Sequence, residues 1–122
     1  MIWEIKFFRK ENGEDPVSDY IISLPAKHQA KVVREIDLLE NLGIWLQYPH
    51  TKDLEGDEYK DLYELRIKFS NNNMRIFYFL FDGNKFILVH GFTKKSEETP
   101  KRELNIAKNR MEEYKSRKKE NK

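Results

Sequence analysis

The chain has 122 residues, of which 39% are hydrophobic, 13% aromatic and 36% charged, with a formal net charge of +2 and no cysteine. This length predicts one domain, and the lack of cysteine excludes disulfides, thiolate metal sites and a cysteine nucleophile. No apolar run reaches the roughly 18 residues of a membrane span, and the charged N-terminal stretch is unlike a signal peptide, so we expect a cytoplasmic protein.

The first part of the chain predicts a strand followed by two helices. Residues 2–8 alternate between apolar and charged side chains, which is typical of a half-buried strand. Asp15 and Pro16 have the character of a helix start, and Pro25 ends this helix and opens the next. The second helix carries an apolar stripe as far as Gly43. We expect the two helices to form a hairpin laid across a sheet.

The second part predicts a meander. Residues 44–61 form a long polar loop, which in a small domain is more often functional or mobile than idle. Three strands joined by tight turns follow, at residues 62–69, 74–81 and 85–92. The last two strands are almost continuously apolar, as expected of central strands. His90 lies within such a run and is predicted to be a core histidine.

The final segment predicts a helix that begins at Pro100 and presents an apolar face as far as Tyr114. The basic residues 115–122 beyond it are expected to form a flexible tail. The element order therefore predicts an α+β fold in a single domain over residues 1–114. Its parts are an N-terminal strand, a helical hairpin, a three-stranded antiparallel meander and a C-terminal helix, with one sheet of about four strands.

Charge is unevenly distributed along the chain. Residues 1–65 contain 14 acidic and 8 basic side chains, whereas residues 66–95 contain 6 basic side chains and one acid. Residues 101–122 are again basic, with 9 Lys or Arg against 4 acids. Such asymmetry favours a polyanionic partner. The alternative is an ordinary solvated basic surface.

Common catalytic motifs are missing from the sequence. The three histidines lack the spacing of a metal site, and no dinucleotide-binding, P-loop or serine-hydrolase motif occurs. We therefore predict neither a metal nor a small-molecule cofactor. The carboxylates of residues 53–61 are interpreted as a solvated acidic loop.

Basic side chains accompany all three strands of the meander: Arg66, Lys68, Arg75, Lys94 and Lys95. If the strands are neighbours, these cations gather near one surface, with Glu64 among them. Such a row suits the phosphates of a nucleic-acid strand, and Arg can bind phosphate through two parallel hydrogen bonds. The alternative is that they are solvent-facing charges that blunt a sheet edge.

Three blocks, LYELRIKF, MRIFYFLFDGNKFILVHGFTKKSEETP and KRELNIAKNRMEEY, resemble the RelE/ParE toxin superfamily, in particular HigB-like, phage-derived toxins of type II toxin–antitoxin systems. The resemblance runs from about Ile2 to Tyr114. It implies a RelE-like fold and a metal-independent, ribosome-dependent endoribonuclease, which cleaves translated mRNA by attack of a 2′-OH on the adjacent phosphate. The implied partners are a helix-turn-helix, HigA-like antitoxin, the ribosome and mRNA, with no membrane.

The resemblance also implies site residues. The predicted catalytic positions are Arg66, Arg75, Lys94 and Lys95. The predicted RNA-binding positions are His50, Lys52, Lys60, Glu64 and Lys68. The general base stays open among Lys94, Lys95, His50 and Glu64, and Tyr114 fits the helix stripe better than a catalytic role.

Two other functions are alternatives on the same fold. One is a non-catalytic ParE-like inhibitor that binds DNA gyrase, and the other is an RNA- or ribosome-binding module without catalysis. The basic row favours the nuclease, because a gyrase inhibitor has no need to bind a phosphate chain.

Overall fold

A five-stranded sheet forms the middle layer of the computed structural model, which describes residues 2–120. The strands are β1 (Glu4–Phe7), β2 (Thr51–Asp53), β3 (Leu62–Phe69), β4 (Asn72–Phe81) and β5 (Lys85–Lys94). The helices are α1 (Pro16–Ile22), α2 (Ala26–Leu42) and α3 (Lys101–Glu120), with short 3-10 turns at Gly43–Trp45 and Asp57–Tyr59. The α+β prediction is confirmed.

The strand order is β1-β5-β4-β3-β2. β1 runs parallel to β5, and the other neighbours are antiparallel. The expected count of four strands is wrong, because Thr51–Asp53 in the predicted loop pairs with β3 and adds a fifth. The N-terminal strand is also shorter than the predicted span of residues 2–8.

Helices cover both faces of this sheet. Apolar residues of α1 and α2 pack with one set of strand side chains, and those of α3 pack with the other set. In β4 the alternation is complete, since Met74 and Ile76 join the first layer and Phe77 and Phe79 join the second. All four are fully buried, so β4 is a central strand as its composition predicts.

The first two helices pack mainly on the sheet. Asp15 caps α1 by accepting hydrogen bonds from the backbone N–H and the hydroxyl of Ser18. α1 then lies against β5, whereas α2 lies against β3, and the contact between the two helices is small. The predicted hairpin is therefore corrected to two helices lying side by side on different strands. α2 ends at Leu42, and Gly43 caps it. The φ of +57° at Gly43 and its close contact with the Trp3 ring leave no room for a side chain there.

The last helix is longer than predicted. α3 continues to Glu120, so residues 115–120 are helical where a flexible tail was expected, and residues 121–122 lie outside the described part. Arg117 accounts for the extension: it donates a 2.6 Å hydrogen bond to the Arg9 carbonyl, and its guanidinium lies over the Phe8 ring. Tyr114 packs edge-on against two phenylalanines of β4, as its place in the stripe predicts.

None of the helices described between residues 2 and 120 has the length and apolar character needed to cross a membrane.

The turn between β3 and β4 sets the register of the meander. Ser70 and Asn71 form this turn, both with positive φ, so β4 begins at Asn72, earlier than predicted. The resulting register places Arg66 opposite Arg75 and, across the next pair of strands, Asn73 opposite Lys94. Directly opposed residues of an antiparallel pair share a sheet face, and so do residues two apart on one strand, such as Asn73 and Arg75. The turn therefore brings Arg66, Arg75 and Lys94 to one face.

Candidate nucleic-acid interface

Two arginines and one glutamate form the centre of the candidate site. Arg66 on β3 and Arg75 on β4 are direct register partners. Glu64 Oε1 lies 3.5 Å from Arg66 Nε and 3.7 Å from Arg75 Nε. Arg75 and Glu64 are each only 5% exposed, whereas Arg66 is partly open to solvent. One carboxylate thus serves two guanidinium groups, and the cluster keeps one uncompensated positive charge.

The hydrogen bonding of these arginines is incomplete. The Nε atoms of Arg66 and Arg75 are buried and have no hydrogen-bond partner among the described residues. Arg75 Nη1 donates to the Met74 carbonyl at 3.1 Å. A buried donor without a partner costs about 1–3 kcal/mol, which an incoming anion can offset. Burial lowers the pKa of Arg75 and the Glu64 carboxylate raises it, but a guanidinium stays charged in proteins.

An open hollow of about 730 Å³ lies beside this cluster. Arg66, Arg75, Lys94 and Lys95 all line it, together with the Asn71–Asn73 segment. The structure therefore brings the four residues predicted to be catalytic to one place, and their roles there stay a prediction. Burial lowers the pKa of Lys94, Glu64 raises it in part, and the neighbouring guanidinium groups lower it further.

A second hollow, of about 270 Å³, adjoins the first and shares both arginines with it. His50 lines this hollow, and its Nδ1 lies 2.9 Å from Glu35 Oε2. Because a carboxylate only accepts hydrogen bonds, Nδ1 carries the proton and a neutral ring presents a lone pair at Nε2. Glu35 is 4% exposed and also pairs with Lys31 at 3.5 Å. A buried carboxylate that orients an imidazole is a common arrangement for proton transfer.

Glu35 was missed by the sequence analysis. It lies at helical spacing from Val32 and Leu39, both fully buried, so it is a charged residue within the apolar stripe of α2. An acid at such a position needs a buried partner, and this was the available signal.

The other predicted RNA-binding residues differ in location. Lys68 is exposed and lines the second hollow. Lys52 lies on β2, and its charge helps to lower the pKa of Lys94. Lys60 is exposed at the end of the 3-10 turn and is not among the residues that line either basic hollow, so the structure does not bring it to the cluster.

Tyr48 is a further residue that the sequence analysis missed. Its side chain is 71% exposed, and the guanidinium carbon of Arg66 lies 5.0 Å from the ring centroid. Hydrogen bonding to Arg66 and the positive charge of that residue lower the pKa of the Tyr48 phenol.

His90 belongs to a separate network under α3. Its Nε2 donates to Glu103 at 2.6 Å, and Arg110 Nη1 lies 3.3 Å from its Nδ1. The ring is largely buried, so the prediction of a core histidine is confirmed. Within residues 2–120, no group of three or more His, Asp or Glu side chains is arranged to hold a metal ion.

Comparison with family models gives one match. A family described as phage derived protein Gp49-like (DUF891) matches residues 19–112, which include every residue lining the two basic hollows. A search of curated proteins finds no match to the chain.

Proposed function

The chain belongs to the phage-derived, Gp49-like family, a RelE-like toxin family, and on that premise we propose that it is the HigB-like toxin of a type II toxin–antitoxin system. Its proposed activity is metal-independent cleavage of translated mRNA on the ribosome. Its proposed partners are a helix-turn-helix antitoxin, the ribosome and the mRNA.

The observation that carries this proposal is the pair of opposed arginines, of which Arg75 is buried and Arg66 is partly open to solvent. Arg66 and Arg75 share Glu64 as their single acidic partner, and their Nε donors have no hydrogen-bond partner among the described residues. Both arginines border a hollow that Lys94 and Lys95 also line. A phosphodiester gains negative charge as a nucleophile attacks it, and preorganised cations in a partly buried site stabilise that charge. The arrangement suits a phosphate group better than an uncharged ligand, since cationic side chains with unused donors are what it offers.

The two adjoining hollows, which share both arginines, support a separation of catalytic roles. His50, oriented by Glu35, takes the proton of the 2′-OH, whose oxygen bonds to the adjacent phosphorus. Arg66 and Arg75 stabilise the extra charge on the phosphate. The bond to the 5′ oxygen then breaks, and Lys94, whose lowered pKa eases proton release, protonates that oxygen. The products are a 2′,3′-cyclic phosphate and a 5′-OH end.

The test uses a translation extract and a defined mRNA. Addition of the purified chain should produce 5′-OH ends inside translated codons, and these cuts should disappear when ribosomes are omitted. Arg66→Ala should slow cleavage by about 100- to 1,000-fold, since it removes one stabilising donor. Lys27→Ala, at an exposed position on α2, is the matched control and should cleave normally.

Two results obtained by expressing the chain in growing cells would contradict the proposal. Growth arrest with intact mRNA and gyrase-dependent DNA damage would indicate the ParE-like inhibitor. Binding to ribosomes with intact mRNA and no growth arrest would indicate an RNA-binding module without catalysis.

A further inference from the structure

We infer that the chain has a nucleobase-binding subsite beside the phosphate site, with Tyr48 as its stacking surface. The inference rests on the proposed function and extends it, since it concerns which part of the RNA, other than phosphate, the protein contacts.

The first argument is the exposure and position of Tyr48. An aromatic ring that is 71% exposed contributes little to the packing of the core, so core packing does not account for its position. Its contact is with Arg66, whose guanidinium lies over the ring at 5.0 Å. Arg66 also lines both basic hollows, so one side chain connects the phosphate site to the ring.

The second argument is a pocket that Tyr48 lines and Arg66 does not. This pocket has a volume of about 670 Å³ and is separate from the two basic hollows. Its floor is aromatic, with Tyr63 and Tyr78 stacked at 5.7 Å. Its rim carries groups able to hydrogen-bond, from Gln47, Thr51, Lys52 and Asp53. A flat aromatic ligand with a polar edge satisfies both the floor and the rim, and a nucleobase is such a ligand.

The third argument is connectivity. In RNA each base is attached to the sugar that carries its phosphates, so base and phosphate sites must be close neighbours. Proteins that bind single-stranded nucleic acid combine a cationic track with exposed aromatic side chains in this way. A protein partner could also use exposed apolar side chains, but the link through Arg66 favours the base of the bound RNA.

Binding measurements with two short oligomers test the inference. One is a fluorescent single-stranded oligoribonucleotide with 2′-O-methyl sugars, which cannot be cleaved, and the other is an abasic oligomer with the same number of phosphates. Tyr48→Ala should weaken binding of the first by about tenfold, because one stacked base is lost. It should leave binding of the abasic oligomer unchanged.

Two variants serve as controls. Tyr48→Phe keeps the ring without the hydroxyl and should bind both oligomers as the unchanged chain does. Trp45→Ala removes another exposed aromatic ring, 74% exposed in the same segment but not lining the pocket, and should have no effect.

The outcomes separate the inference from the proposed function. Normal binding of the base-bearing oligomer by Tyr48→Ala would show that the subsite does not exist. The same conclusion would follow if the wild-type protein bound both oligomers equally or bound neither. Loss of affinity for a co-encoded protein, with normal RNA binding, would assign Tyr48 to protein docking and equally overturn the inference. The proposed function is judged by cleavage of translated mRNA, which none of these results alters.

Discussion

Arg75 on β4 lies directly opposite Arg66 on β3, a pairing of like charges that would by itself weaken the sheet. Glu64 reduces the repulsion, with one carboxylate oxygen within 4 Å of both Nε atoms. The pair is therefore maintained at an energetic cost, and the surrounding fold supplies the stability that offsets it. Sites that bind anions commonly show this conflict between local stability and function.

Glu64→Gln tests the balance of charge. The substitution keeps the shape of the side chain but leaves two neighbouring arginines without a counter-charge. Breaking a buried ion pair costs about 3–5 kcal/mol, so we expect the free energy of unfolding, measured in urea, to fall by that order. Affinity for an RNA oligomer should rise at the same time, because the hollow gains one net positive charge.

The control for this experiment is the double variant Glu64→Gln, Arg75→Met, which removes one of the two opposed cations. It should recover part of the lost stability. If Glu64→Gln lowered the free energy of unfolding by less than about 1 kcal/mol, the pairing of Glu64 with the arginines would be no stronger than an ordinary surface ion pair. That result would contradict the interpretation of a strained, buried cluster.

His50 and Glu35 form the proposed proton-transfer pair. His50→Ala should slow single-turnover cleavage by about 100- to 10,000-fold, the usual contribution of a general base, while ribosome binding persists. Glu35→Gln should lower the cleavage rate without weakening ribosome binding, because it disturbs the orientation of the ring. Lys31→Ala, which removes only the other partner of Glu35, should have a small effect. Normal cleavage by His50→Ala would pass the role of base to the remaining candidates.

His90 predicts a pH dependence of stability. Burial lowers its pKa from the ordinary value of 6.5, although Glu103 raises it in part. At pH values between the folded and unfolded pKa of His90, the unfolded chain binds more protons than the folded chain. The contribution of His90 to stability is therefore fully present above pH 6.5 and is lost as the pH decreases through the folded pKa. Urea unfolding at a series of pH values measures this.

His90→Asn should remove that part of the pH slope, even though it also lowers stability at every pH. His28→Asn, at a half-buried position on α2, is the comparison and should keep the slope. Equal slopes in all three proteins would mean that His90 is not the titrating group.

The last turn of α3 is expected to contact ribosomal RNA. It contains Arg117, Lys118 and Lys119, of which both lysines are exposed. The double variant Lys118→Glu, Lys119→Glu should weaken ribosome binding and make it less sensitive to salt, because fewer counterions are released. Binding assays over a range of salt concentrations give the slope directly. An unchanged slope would exclude this contact.

The meander and its cationic row could be predicted because both depend on short-range patterns. Alternation along residues 62–69 and a tight turn before β4 are enough to bring Arg66 close to Arg75. The fifth strand could not be predicted, since Thr51–Asp53 is too short to show a pattern and pairs only because the β3 edge is available.

The roles of Glu35 and Tyr48 escaped prediction for a similar reason. Each acquires its role through a residue far away in sequence or on another element, His50 in one case and Arg66 in the other. A periodic pattern reports which face of a helix is buried, but not which side chain lies across from it. The helical residues 115–120 depend likewise on distant contacts, those of Arg117 with Phe8 and Arg9.

The outer strands of the sheet are its shortest, with four residues in β1 and three in β2. They offer few unpaired backbone groups to a neighbouring molecule, and the part of β3 that β2 leaves uncovered carries the exposed Lys68. Short edge strands and an exposed lysine both hinder edge-to-edge pairing between the sheets of two molecules. Edges of this kind give copies of the chain few backbone groups through which their sheets can pair with one another.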